Sequence, residues 1–325
     1  MFVNAHTHLY SGLAPLGMPP PSPRPDTFLE ILERVWWRLD RALDERALRA
    51  AARYYVADAV RRETAVLFDH HESPSFIEGS LDVLADACSE FGASALLCYG
   101  ATERNGGREE ARRGLEECRR FILRNRRSGI AGAVGLHASF TVSDDTVRAA
   151  GALCRDLGAV LHVHLAEADA DVADAQRRGY PGPLERLLQL NALPPGSILA
   201  HGVHLTRDQA SRAGDAGCWL VHNPRSNRGN RVGYAGSLRG AARVALGTDG
   251  FRSDMREEAQ ALAALAAAEA DLPDPSAERL DAGWEVARQL GLPPRAPGAG
   301  QDRSFDFPAI EAAARAEAER LWQRW

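Results

Sequence analysis

The chain has 325 residues, 45% of them hydrophobic, and a formal net charge of −5 at pH 7. That size and apolar share can bury one large core, and the interspersed charges set up no strong field, so neither nucleic acid nor an anionic membrane surface is expected as a partner. All 39 basic residues are arginine; with no lysine, a phosphate-binding GxxxxGK[ST] loop and a Schiff-base nucleophile are both excluded.

In chain order, the first apolar run, Phe2 to Ala5, reads as a strand that ends in Asn4-Ala5-His6-Thr7-His8. Two histidines two residues apart on extended chain point to one side and can grip one ion. Taken alone, the pair reads equally as polar strand-end residues. Leu9 to Asp26 follows, with six prolines between Pro15 and Pro25, and is expected to form a stiff lid or rim. Thr27 with Glu30 is a capping box that opens a helix, on which Trp36, Trp37, Leu39 and Leu43 read as packing. Thr64 to Phe68 is the second strand. It leads into Asp69-His70-His71-Glu72, a cluster that, like Arg225 further on, could touch substrate, with a structural or rim position equally open for His70 and His71, and Ser73 before Pro74 reads as the next helix start. Ser94 to Cys98 is the third strand, and the arginine-rich stretch Arg112 to Arg127, mixed with Glu109, Glu110, Glu116 and Glu117, reads as a solvated helix face.

The fourth strand, Gly132 to Leu136, ends at His137, and Ser143 before Asp144 and Asp145 starts a helix. Val160 to Val163 is the fifth strand, where His162 and His164 form a second same-side pair and Glu167 lies three residues past His164. His164 reads as a third ligand, Glu167 as a proton shuttle, and His162 as a hydrogen-bonded core residue. Ile198 to Ala200 precedes His201 and His204, with Thr206 and Gln209 as another capping box. Trp219 to Val221 precedes His222 and Asn223. Val244 to Leu246 precedes Gly247-Thr248-Asp249-Gly250, where Asp249 can face the first strand. Pro293 to Arg303 reads as a Pro/Gly-rich linker before a last helix.

Eight strand–helix units, each with its polar residues just past the strand, predict a (β/α)8 TIM barrel, in which the strand ends converge on one face; an open doubly wound sheet would spread them along an edge. Residues 1–292 are expected to be the hydrolase barrel, and residues 293–325 a linker and a helix packed on it. Three imidazoles and a carboxylate suit one divalent metal, Zn2+ first and Fe2+ as the alternative, with a position open to water that the ion acidifies. His201 is placed to orient that water. Cys88, Cys98, Cys118, Cys154 and Cys218 are odd in number without CxxC spacing, which points to buried, reduced thiols. With no apolar run near the roughly 20 residues that cross a bilayer and an N-terminus too polar for a secretory signal, a cytoplasmic location is expected.

Six motifs in order carry a family resemblance: Asn4-Ala5-His6-Thr7-His8-Leu9-Tyr10-Ser11, Gly135-Leu136-His137-Ala138, His164-Leu165-Ala166-Glu167, Ala200-His201-Gly202-Val203-His204, His222-Asn223-Pro224-Arg225-Ser226-Asn227 and Gly247-Thr248-Asp249-Gly250. The chain resembles the amidohydrolase superfamily, in its branch of guanine deaminases and triazine chlorohydrolases and nearest to the aminohydrolases linked with selenium metabolism. The resemblance implies that His6, His8, His164 and Asp249 bind metal. It further implies catalytic roles for Glu167, His201 and Asp249, with His137 and Glu167 contacting substrate. Superfamily members with two bridged metals often use a carboxylated lysine, so this chain is expected to hold one ion. Branch members usually frame the barrel with a small β-sandwich, which is expected to be missing here. The implied reaction is hydrolytic deamination of an amino-substituted nitrogen heterocycle of purine, pterin or triazine type. Cyclic-amide opening, dehalogenation at the same site, and a catalytically silent metal-binding barrel stay open as alternatives. The implied partner is a small heterocycle; self-association is left open.

Overall fold

Short runs of Val, Leu and Ala, flanked by amphipathic helices, leave both faces of each strand to be buried, the condition for a parallel sheet wrapped in helices. The computed structural model describes residues 1–271, 273–292 and 305–325. Among these, nine strands are present: β1 Phe2–Thr7, β2 Thr64–His71, β3 Ser94–Ala101, β4 Ile130–Gly132, β5 Val134–Ala138, β6 Leu161–Leu165, β7 Ile198–His201, β8 Trp219–His222 and β9 Val244–Leu246. All pairings are parallel, in the order β1-β2-β3-β5-β6-β7-β8-β9. The short β4 pairs with the first half of β3, and β5 with its end, so the fourth barrel position is one strand broken at Ala133. The ring closes where Thr7 bridges Asp249 and the His6 carbonyl accepts from the backbone N–H of Thr248 and Asp249, each at 3.0 Å. Asn4 reinforces that seam, donating to Thr248 Oγ1 at 2.7 Å and accepting from the Thr248 N–H at 3.1 Å. The fold is the expected (β/α)8 barrel, and no second sheet is present among the described residues.

The strands extend past the expected apolar runs because their polar ends still hydrogen-bond along the ladder: β2 continues through Asp69, His70 and His71, paired with Leu97, Cys98 and Tyr99. Register breaks fall between Asn4 and Thr7 in β1 and between Leu136 and Ala138 in β5. These are the stretches that hold His6 and His137, and such irregularities re-aim side chains beside active sites.

The capping boxes at Thr27 and Thr206 and the Ser143 cap form as read. The expected helix start at Ser73 does not. That helix begins at Ser80 after Gly79 at φ 89°, while the Ser73 hydroxyl donates to the Phe76 carbonyl and pairs with His71 Nε2 at 2.8 Å. A serine hydroxyl serves a local turn as readily as a helix cap. Arg112, Arg113, Arg120 and Arg127 pair with Glu109, Glu78, Asp82 and Asp86 on the surface. All five cysteines are buried and unbridged. The helix Phe307–Trp322 lies against Glu45–Arg61, with the Phe307 ring stacked 5.8 Å from that of Tyr54 and Trp322 donating to the Leu16 carbonyl at 3.1 Å. The linker read at Pro293 to Arg303 lies outside the described residues. No helix of the described residues is long and apolar enough to cross a membrane.

Candidate active site

The ends of β1 and β6 and the turn after β9 bring His6, His8, His164 and Asp249 together, with one donor atom of each within 4.8 Å of the others. His8 Nε2 lies 2.8 Å and His6 Nε2 3.4 Å from Asp249 Oδ1, and His8 Nε2 lies 3.2 Å from His164 Nε2. Each imidazole has its other nitrogen committed. His8 Nδ1 donates to the His70 carbonyl and His164 Nδ1 to the His137 carbonyl, while His6 Nδ1 lies 2.8 Å from His162 Nε2. The carbonyl bonds put a proton on Nδ1 of His8 and of His164, and with His6 Nδ1 donating to His162 in the same way, three Nε2 atoms face one point, the arrangement a metal ligand set needs. His6 Nε2 is buried without a hydrogen-bond partner, an orphan that a cation would satisfy.

The electrostatics agree. Burial pushes His6 down to about 3 and holds His164 well below its usual value, so both are neutral donors. Burial acts the same way on His8, but the Asp249 carboxylate, with Glu72 and Asp69, outweighs it and lifts His8 to about 9. Burial opposes the charge on Asp249 too, yet the bonds to His6 and His8 hold its carboxyl well below the usual range. The His8 imidazolium balances the Asp249 carboxylate, and a metal ion would take the place of that proton; the donor set of three imidazoles and one carboxylate fits Zn2+ or Fe2+.

Next to this set, Glu167, His201 and Asp249 form a second group with donor atoms within 4.8 Å. His201 Nδ1 donates to Asn227 Oδ1 at 2.8 Å, which leaves its Nε2 as a free acceptor 3.7 Å from Glu167 Oε2. Burial raises Glu167 above an ordinary carboxylate, the condition of a proton donor at neutral pH. Asn230 holds it, donating to Oε1 at 3.3 Å and to the Ser226 hydroxyl at 3.2 Å, and Ser226 in turn donates to Asp249 Oδ2. The turns that aim these groups are strained: Ala166, His201 and Asp249 have φ of 49°, 78° and 52°. Non-glycine residues in that region cost energy and cluster at functional sites. Asp171 accepts from the Ala166 N–H at 2.7 Å and braces the first of these turns.

A cavity open to solvent lies over both groups; the space free of atoms there is about 510 Å3 with the solvent at its mouth included. Its polar wall is His8, Glu72, His137, His164, Glu167, Asn230 and Asp249, and its apolar wall is Tyr10, Leu32, Trp36, Trp37, Ala138 and Gly250. The apolar wall corrects two expectations. Of the proline-rich stretch only Tyr10, in the turn Leu9–Leu13, lines the cavity; the cover comes from the helix that follows. There the backbone makes a π-helical turn at Leu32–Trp36, closed by the Trp37 N–H on the Leu32 carbonyl. That i→i+5 spacing brings Leu32, Trp36 and Trp37 onto one face, so the two tryptophans read as packing instead face the site.

His6, His8, His164, Asp249, Glu167 and His201 meet at this mouth, together with His137, its Nδ1 held by Thr141 Oγ1 at 3.1 Å. Arg225 does not reach the cavity: buried Glu258 binds both its backbone and its guanidinium. His204 pairs with Asp169 at 2.8 Å near the surface. His71 packs behind the strand, bonded to Ser73. The sequence reading missed Ser226, Asn227 and Asn230 as supports and His162 as the partner of His6, while Glu72 lines the cavity, as the reading of its cluster allowed. Ser226 and Asn227 were inside a quoted motif, and His162 was one of a same-side pair; Asn230 carried no local signal.

The sequence profile of the amidohydrolase family matches residues 2–278. Among characterised relatives, the 5'-deoxyadenosine deaminase of Methanoregula boonei is 32% identical over 195 residues, 57% of this chain and 44% of that protein. The 8-oxoguanine deaminase of Pseudomonas aeruginosa is 29% identical over 270 residues, 78% of this chain and 59% of that protein. The chain thus spans less than two thirds of the length of either. Among solved structures, a zinc-bound adenosine deaminase from Xanthomonas campestris superimposes with a TM-score of 0.79 at 22% identity, covering 98% of this chain and 84% of that one. A guanine deaminase from C. acetobutylicum with bound guanine superimposes at 0.73 and 14% identity, covering 88% and 72%. At such identities these structures speak to the fold.

Proposed function

This chain belongs to the amidohydrolase family, and from that premise we propose that it is a mononuclear metal-dependent hydrolase that deaminates an amino-substituted nitrogen heterocycle. In this reading residues 1–292 are the catalytic unit. The observation that carries the proposal is the pairing of a raised-pKa Glu167 with the free Nε2 of His201, both against the four-donor cluster and under an aromatic wall. The relatives named as deaminases of 5'-deoxyadenosine and 8-oxoguanine support the substrate class.

His6, His8, His164 and Asp249 would hold the ion, Zn2+ in the first place. When bound, it supplies Lewis acidity, bringing a water towards ionisation near neutral pH. His201 Nε2 accepts a hydrogen bond from the attacking water and orients it. Asp249, ionised in this setting, takes the water's proton at its carboxylate. Glu167 delivers its own proton to the ring nitrogen beside the attacked carbon and regains one from the hydroxyl of the adduct as the carbonyl forms, while the proton taken by Asp249 passes to the departing amino group, so that ammonia leaves as the C–N bond breaks and both carboxyl groups return to their starting states. Tyr10, Trp36 and Trp37 hold the ring plane, and His137 meets its edge.

The test is an ammonia-release screen over purines, pterins and triazines with metal content measured in parallel. Glu167→Gln keeps the size of the side chain and lies outside the ligand set. It should retain the metal and lose roughly 10²- to 10⁴-fold in kcat, the usual worth of a positioned acid–base group. Full metal with no turnover on any ring compound would favour the silent barrel, and turnover by Glu167→Gln within about twofold of the parent would remove Glu167 from the relay.

A further inference from the structure

Glu72, directly after β2, takes part in neither the four-donor set nor the Glu167–His201 pair, yet it is 1% exposed and faces the cavity. His70 Nδ1 pairs with Oε1 at 2.7 Å, while Oε2 is buried without a hydrogen-bond partner. His8 Nδ1 lies 3.6 Å from Oε2 but donates to the His70 carbonyl. A buried carboxylate short of donors is costly until a ligand or water brings them.

The fold makes room for this group. Gly100 of β3 stands behind it, and a Cβ there would collide with Glu72 Oε1 and the His70 ring. Glu72 also lies beside His137 and His164, a donor atom of each within 4.8 Å. The His8 ring separates it from Asp249, since His8 meets Asp249 through Nε2 and faces Glu72 through Nδ1. Glu167 belongs to the group on the Asp249 side. Two carboxylates therefore bracket the metal set, Glu167 on one side and Glu72 on the other.

We propose that Glu72 determines specificity, accepting hydrogen bonds from a second amino group and adjacent N–H on the substrate edge remote from Glu167. The preferred ring then carries an amidine- or guanidine-like edge, as in a diaminopurine, a pterin or a diaminotriazine, over a ring with a single amino group. This rests on the deaminase reading for the placement of the ring between the two carboxylates. The requirement for a donor facing Glu72 comes from the geometry alone.

Binding is measured on zinc-loaded protein by quenching of tryptophan fluorescence, since Trp36 and Trp37 line the cavity. The probes are 2,6-diaminopurine against adenine and 2,4,6-triamino-1,3,5-triazine against 2-amino-1,3,5-triazine. The diamino and triamino members should bind about tenfold or more tightly, because a site built around a hydrogen bond discriminates strongly against an analogue that lacks it. Glu72→Ala and Glu72→Gln should both shrink the preference to within about twofold; either variant suffices if the other does not fold. Equal affinities in the parent protein, a preference that survives the substitution, or no binding by any probe would overturn the proposal. Ammonia release on the same probes separates the two readings. A Glu72-dependent preference without ammonia sinks the deaminase and leaves Glu72 its role, whereas ammonia release without any preference sinks the role of Glu72 alone.

Discussion

Replacing His162 by Leu removes a group that touches no substrate but fixes a ligand. His162 Nε2 is the partner of His6 Nδ1 at 2.8 Å, and both rings are fully buried. Leucine fills a similar volume and accepts nothing, so the His6 Nδ1–H is stranded in a dry core at a cost of about 1–3 kcal/mol. His6 escapes that cost by moving its proton to Nε2, and in that tautomer it is no longer a ligand. Loss of an outer partner of this kind lowers metal affinity about 10- to 100-fold, or about 1.4–2.7 kcal/mol. The metal-free protein should behave oppositely. His162 Nδ1 is itself buried without a partner, so its removal offsets the penalty and the metal-free Tm should hardly fall. His162→Gln, whose amide oxygen can reach towards the His6 Nδ1, should recover most of the affinity. The assay is competition for Zn2+ against a chromophoric chelator at neutral pH, with thermal unfolding of the metal-free forms alongside. If His162→Leu folds cooperatively and binds Zn2+ within twofold of the parent, the claim that His162 sets the His6 tautomer is wrong.

Stability should depend on pH through Asp171, whose carboxyl burial raises to about 7 against about 3.9 in an unfolded chain. Because the folded value is the higher one, the folded state gains from this group below pH ~4 and loses that gain as pH rises through about 7. Asp171→Asn, which keeps an acceptor for the Ala166 N–H, should therefore gain in Tm over the parent as pH is raised from 5 to 8; a difference that stays flat or shrinks contradicts the shift. Gly100→Ala drives a methyl into Glu72 and His70 and should cost about 1–3 kcal/mol by overpacking, read from the denaturant midpoint; an unchanged midpoint would mean the pair moves aside freely. Chelation should lower the Tm of metal-loaded protein and added Zn2+ should restore it, by an amount set by free metal over its dissociation constant; no response would argue that His6, His8, His164 and Asp249 do not hold an ion.

Much of this protein was legible without a structure, because strand periodicity and the order of the motifs are local properties. The strand starts were placed to within two residues, and the strand ends ran up to three residues further than read. The same-side spacing of His6 with His8, and of Glu167 after His164, follows from the extended backbone and the turn that ends it. The lysine-free composition removed the carboxylated lysine of bridged-metal sites before any coordinate was known, and one ion is expected on that ground. Local reading failed where a residue's meaning depends on a partner far along the chain. Trp36 and Trp37 looked like helix packing, and only the π-helical turn and the placement of that helix over the barrel mouth turned them to the cavity. Ser73 had the composition of a cap and was used by a turn. Arg225 had the charge to meet substrate and was bound by Glu258, 33 residues away.

The sequence by itself determined the barrel and pointed to the proposed ligand set, since both depend on periodicity and residue chemistry over a few positions. Tertiary structure alone decided which nitrogen of each histidine is free, because that is set by carbonyls and rings on neighbouring strands. It also decided that Glu72 faces the cavity with one carboxylate oxygen unmet, because burial and unmet hydrogen bonds exist only once β2 and β3 are side by side with Gly100 between them. A hydrogen-bond deficit is a property of the packed assembly, and no run of neighbouring residues encodes it.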